Sequence, residues 1–146
     1  MAQVRNTIVI GRPIEDVFAV LTDVEKTGSW FPGDVTEWWL TEPPHGVGSR
    51  RRARTRLGPF SMENDAVATI YDPPHHAAMR GLSRWAPFNA DLRFSRVDDG
   101  TRVVADSTIE GDGLMRLLAP LFVRMFGRGW RIGLARLKTM MESGEL

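Results

Sequence analysis

The chain predicts an α+β fold: a seven-stranded, curved antiparallel sheet around one long C-terminal helix, with two short helices after the first strand. Three observations carry this expectation. The parts come in the order strand, short helical stretch, run of strand-like segments, and long amphipathic helix. The segments between Asp34 and Glu110 are short, alternate with period two, and are separated by Gly, Pro and Asp. The closing stretch from Gly113 to Glu142 keeps helical spacing throughout, so at about 1.5 Å per residue it spans roughly 45 Å. That length rivals the diameter of a domain of 146 residues. A sheet wrapped around such a helix seldom closes without leaving space, and that space is where function is sought.

Gln3–Ile10 reads as a strand, with Val4, Ile8 and Ile10 on one face and Arg5, Thr7 and Val9 on the other. Gly11-Arg12-Pro13 ends it, and Pro13 suits a first helical turn, where its missing N–H is no loss. Glu15 and Asp16 follow near the positive end of the helix dipole. Val17, Phe18, Val20 and Leu21 supply that helix with an apolar side. A second helical piece, Val24–Trp30, is stopped by Phe31-Pro32-Gly33. The expected later strands are Val35–Thr41, Ser49–Leu57, Phe60–Tyr71, His76–Leu82, Asn89–Val97 and Thr101–Glu110. Their turns carry Pro43-Pro44-His45-Gly46, Gly58-Pro59, Asp72-Pro73-Pro74 and Asp98-Asp99-Gly100, residues that tolerate turn backbone angles. No internal repeat or linker divides the chain, so it reads as one domain over 1–146.

The closing helix carries two apolar stripes. Leu114, Leu117, Leu118, Leu121, Phe122 and Met125 form one; Phe126, Trp130, Gly133, Leu134, Leu137, Met140 and Met141 form another, rotated by roughly a third of a turn. Pro120 and Gly127-Arg128-Gly129 lie before and at the change, and predict a kinked or broken helix, with one straight helix of wide buried face as the alternative.

Composition bounds the function classes. With 42% hydrophobic and 25% charged residues, the chain can bury a real core. A net charge of +1 provides no global field to recruit nucleic acid or an acidic membrane. The absence of cysteine excludes disulfides and thiolate chemistry. Met1–Ile10 lacks the apolar core of a signal peptide, and no window of about 18 residues is free of charge. The expectation is a cytoplasmic protein with no integral membrane segment. A homodimer is compatible with this reading.

The layout resembles the helix-grip fold of the START-like, or SRPBCC, superfamily, and within it the bacterial polyketide cyclase/dehydrase-like group. The likeness rests on Pro13-Ile14-Glu15-Asp16-Val17-Phe18 with Leu21-Thr22-Asp23, on Trp30-Phe31-Pro32, and on Gly46-Val47-Gly48-Ser49-Arg50. Tyr71-Asp72-Pro73-Pro74, Gly100-Thr101-Arg102-Val103 and Leu134-Ala135-Arg136-Leu137-Lys138 extend it over nearly the whole chain. These are turn, cap and core positions, so the resemblance speaks to fold and transfers no catalytic residue. It implies an apolar cavity between sheet and terminal helix, used by members for lipids, steroids, hormones or polyketides and by a minority for chemistry.

The run Arg50-Arg51-Arg52-Ala53-Arg54-Thr55-Arg56 resembles a nucleic-acid patch until strand alternation divides it. Arg50, Arg52, Arg54 and Arg56 share one face, opposite Glu63 and Asp65 of the next strand, the pattern of a solvated face with cross-strand pairs. No aromatic residues interleave with this charge, so nucleic acid is not an expected partner. Arg51 and Asn64 then point inward. Arg51 is either a ligand anchor for a carboxylate or carbonyl, or a structural residue that reaches the rim near the strand start or pairs with Glu37 or Glu42. Trp38 or Trp39 (alternation admits only one), Met62, Phe88, Phe94, Phe122, Met125, Phe126 and Trp130 are candidates to line the pocket, with plain core packing as the alternative for each.

No metal site or cofactor is expected: His75 and His76 diverge in a strand, His45 sits in a turn, and no His pair has i, i+4 spacing. No catalytic residue is assigned, since the serines lack nucleophile contexts and the carboxylates show no inward pair. The expected function is binding of a small hydrophobic molecule, such as a lipid or polyketide. The alternative is a polyketide cyclase or dehydratase acting in the same cavity.

Overall fold

Among the described residues the local signals produce seven strands and three helices. They are β1 (Ala2–Ile10), α1 (Ile14–Thr22), a single 3-10 turn (Val24–Lys26), α2 (Thr27–Trp30), β2 (Asp34–Trp39), β3 (Arg50–Leu57), β4 (Phe60–Asp72), β5 (His76–Gly81), β6 (Phe88–Val97), β7 (Gly100–Ile109) and α3 (Leu114–Glu142). This computed structural model describes residues 2–83 and 87–146. Every strand lies within a residue or two of its expected bounds. The helical piece expected over Val24–Trp30 divides into the 3-10 turn and α2, with the Asp23 carboxylate accepting from the Glu25 amide at 3.1 Å.

The strands form one antiparallel sheet in the order β1-β7-β6-β5-β4-β3-β2. From β2 to β7 each strand lies beside the next one in the chain, as in antiparallel hairpins. The long step from β1 to β2 carries α1 and α2 across one face and leaves β1 beside β7. On that same face α3 lies along β1 and β7. The main core sits between them: Ile10, Ile14, Val17, Phe18 and Trp30 meet Val103, Leu134, Leu137 and Met141. Arg12 ties the two ends of the chain, donating to the carbonyls of Met141 and Leu146 at 2.8 and 2.9 Å.

Two expectations about α3 need correction. The helix is not broken: it runs continuously from Leu114 to Glu142 through Pro120 and the glycine triplet, and Pro120, which has no N–H, leaves the Arg116 carbonyl without the amide donor four residues on. Gly127 serves close approach: a Cβ there would stand 2.7 Å from the Val4 methyls, and its carbonyl accepts from Asn6 Nδ2 at 3.1 Å. Gly133 does the same under the Trp30 ring, which a Cβ would meet at 3.1 Å. The second correction concerns the first stripe. The half of α3 before Gly127 buries Ala119 and Val123, while Leu117 is 78% exposed and Leu114, Leu121 and Met125 also face solvent. Small residues let the helix sit close to β1, and that contact turns the large leucines outward.

The outer face of the sheet carries the expected ion pairs. Arg52 donates to both oxygens of Asp65 (2.8 and 3.1 Å), and Arg54 holds Glu63 at 3.0 Å. Asp106 of β7 pairs with Arg5 of neighbouring β1 at 2.7 Å.

Candidate functional site

Between the sheet and the helices lies a cavity of about 280 Å³. Its sheet wall owes its depth to alanines: Ala53, Ala68, Ala77 and Ala90 stand on β3, β4, β5 and β6 where larger residues would fill the space. The opposite wall is bulky, with Trp30 and Phe31 at the end of α2 and Phe126 and Trp130 on α3. These four rings pack edge-on or tilted, with centroids between 5.7 and 6.4 Å apart. Alanine has low strand propensity, so four inward alanines on adjacent strands are a signal of the hollow that the sequence does carry.

A polar cluster interrupts the apolar wall. Register sets Trp39 against Arg51 and Arg51 against Ala66, so Arg51 points inward and is 8% exposed. One guanidinium nitrogen, Nη1, donates to the side-chain and backbone oxygens of Asn64 at 2.7 and 3.3 Å. Phe88 lies over the guanidinium, its ring centre 5.9 Å away. Glu37, two residues before Trp39 on β2, brings Oε2 to 3.5 Å from Arg51 Nε, an ion-pair distance without a hydrogen bond. Among the described residues Arg51 Nε therefore lacks an acceptor, as do the indole N–H groups of Trp30 and Trp130. All three belong to residues that line the cavity.

Several candidate residues lie elsewhere. Trp38 faces the outer side, where Arg54 covers its ring at 5.5 Å, and Trp39 takes the inward place, stacked on His45 with ring centres 4.0 Å apart. Phe94 is packed in the core against Phe18. Met62, Phe122 and Met125 are exposed and do not line the cavity. Arg51, Asn64, Phe88, Phe126 and Trp130 do line it. Glu37 is absent from the sequence-based site because sequence offers it only as a partner for Arg51, with no measure of its burial. Among the described residues no group of three or more His, Asp or Glu side chains is placed to hold a metal ion.

Burial pushes the Glu37 carboxyl above its ordinary value of 4.5, against the opposing pull of Arg51. A carboxyl raised in the folded chain binds its proton more tightly there than when unfolded. Its contribution to stability is therefore full below the unfolded value and is lost as pH rises through the folded one. Glu37→Gln keeps the shape but cannot ionise. Its stability relative to the parent should improve as pH rises from about 4 to about 8 in urea unfolding. Parallel curves for the two proteins would show that Glu37 ionises without cost.

A seven-stranded antiparallel sheet holding a long C-terminal helix around an apolar space defines a helix-grip protein. The chain belongs to the polyketide cyclase/dehydrase and lipid transport family, whose model matches residues 1–142. Among solved structures it is similar to TTHA0849 from Thermus thermophilus (17% identity, TM-score 0.78, covering 99% of both chains). Protein NE0264 from Nitrosomonas europaea is similar at 14% identity and TM-score 0.78, over 99% of this chain and 96% of that one. DynU16, a protein in the dynemicin biosynthetic locus, matches at 18% identity and TM-score 0.70, over 99% of this chain and 48% of its own. Such identities show the fold alone. No functionally curated protein matches the sequence. No helix among the described residues is long and apolar enough to cross a membrane.

Proposed function

We propose that the chain binds a small, mostly apolar molecule bearing a carboxylate or carbonyl oxygen, with its body against the aromatic wall and its oxygen toward Arg51. The observation that carries this reading is the presence of buried N–H donors without acceptors in residues that line an otherwise apolar cavity. A buried donor left unpaired is costly, so a ligand that supplies an oxygen gains that free energy as well as the hydrophobic term. The volume lies near the lower end of the range for small-molecule sites, about 300–1,000 Å³, which favours a compact ligand or one that displaces side chains.

Fluorescence titration with an environment-sensitive dye, followed by displacement with medium-chain acids, tests the reading. One-to-one saturation at micromolar or lower concentration is expected. Ala53→Phe, which fills the cavity from β3, should remove binding while the far-ultraviolet dichroism stays that of the parent. Unsaturable dye uptake, or equal affinity in Ala53→Phe, would sink the proposal.

A second reading is favoured by Glu37. A buried carboxyl that holds its proton above the ordinary range, beside a guanidinium, suits proton transfer during cyclisation or dehydration of a poly-carbonyl chain. It calls for a new product from a polyketide-like substrate that appears with the parent protein and not with Glu37→Gln.

A further inference from the structure

The sequence gives no global attraction to an acidic surface, but the structure separates charge and apolar area locally on α3. At about 100° per residue, Leu114, Leu121, Met125 and Ile132 fall on one line. That line lies roughly half a turn from the buried Val123, Leu134 and Met141. The helix is therefore apolar on two opposite sides, and only one has a partner in this chain. Arg124 and Arg128 border the exposed line, Arg131 lies rather more than a quarter turn from it, and Arg116, in the first turn of the helix, projects from another side. These four arginines are exposed, and among the described residues none has a carboxylate partner. No Asp or Glu occurs between Leu114 and Met141.

The apolar area extends onto the sheet. Thr55 and Asn64 line the cavity, and the next residues on the same strand faces are the exposed Leu57 on β3 and Met62 and Phe60 on β4. On α3, the lining Phe126 is followed one turn back by the exposed Phe122. The β3–β4 hairpin overhangs β5, whose last pair is Gly81 with Ala66, at the end of the sheet where Ala119 and Val123 pack against Ile109. Exposed apolar residues thus continue the walls of the cavity outward at that end.

We propose that this face, the outward side of the first half of α3 with the tip of the β3–β4 hairpin, docks on a bilayer containing anionic lipid. A basic helix with an exposed apolar line is the arrangement that lies in a membrane interface, with apolar side chains among acyl chains and guanidinium groups at phosphate level. Charge decides against the competing occupant, a second copy of this chain. A symmetric contact would set arginines against arginines with no acidic residue on the helix face to relieve them. Docking does not depend on which molecule the cavity takes, and its failure would leave the ligand proposal standing.

Sedimentation with lipid vesicles tests it. The full chain should pellet with vesicles of phosphatidylcholine mixed with phosphatidylglycerol, weakly with phosphatidylcholine alone, and less as salt is raised. Arg124→Gln and Arg128→Gln should each weaken binding about fivefold. The double variant Leu117→Glu/Leu121→Glu should abolish it with an unchanged melting temperature, since both leucines are exposed. Met125→Glu repeats the test at a third exposed position should the double variant melt early. No pelleting with either vesicle, or undiminished binding by the leucine and methionine variants, overturns the proposal. So would a concentration-dependent dimer that Leu117→Glu/Leu121→Glu disperses, which would assign the face to a second copy.

Discussion

Arg51→Met is expected to weaken an acidic ligand roughly ten- to a hundredfold while a neutral ligand of equal length loses little. A hydrogen bond to a charged group is worth about 1.5–3 kcal/mol, and at about 1.4 kcal/mol per tenfold this gives that span. Arg51 can deliver it because its position is set on every side: Asn64 holds Nη1, Phe88 covers the plane, and Glu37 stands 3.5 Å from Nε. Methionine preserves much of the apolar stem, so the comparison isolates the charge. Removing the guanidinium also ends the attraction that opposes burial of Glu37, and its carboxyl should then hold the proton to still higher pH. Competitive displacement of a bound dye by paired acids and alcohols measures the ratio. Equal loss for both would mean that Arg51 serves the wall of the cavity and not the ligand. Loss of folding with unchanged affinity in the surviving protein would mean the same.

Trp30→Ala should be among the most damaging single substitutions, at about 3–5 kcal/mol. Trp30 is 1% exposed, ends α2, and packs edge-on against Phe31 and tilted against Trp130, with ring centres 5.8 and 5.7 Å away. It also roofs Gly133, so α3 loses the surface on which that part of the helix rests. At about 2–4 °C per kcal/mol for a chain near this size, the melting temperature should fall by roughly 10 °C. Leu117→Ala provides the contrast. Its side chain is equally apolar but 78% exposed, so its effect should stay within about 0.5 kcal/mol. Because Trp30 lines the cavity, its loss should also shift preference toward bulkier ligands among proteins that remain folded. A melting temperature within a few degrees of the parent would show that the cavity wall collapses into the space.

Local pattern was enough for the architecture. Period-two segments such as Arg50–Leu57, bounded by Gly58-Pro59, specify both a strand and its hairpin, because alternation and turn chemistry act between residues close in sequence. The outer pairing of Arg52 with Asp65 and Arg54 with Glu63 follows from the same alternation. Trp38 and Trp39 show where this stops: a shift of one residue exchanges the two faces, and only pairing with Arg51 and the packing of α2 on β2 turn Trp39 inward. The closing helix was equally legible as a helix but not in its orientation. It has apolar residues on opposite sides, and periodicity cannot rank them. The close fit of Gly127 on Val4 and Gly133 on Trp30 decides which side is buried, and both are contacts between residues far apart in the chain. The cavity, too, belongs to the tertiary structure. Ala53, Ala68, Ala77 and Ala90 enclose space only because four strands bring them together opposite Trp30 and Trp130, and the burial that raises Glu37 exists only once that enclosure has formed.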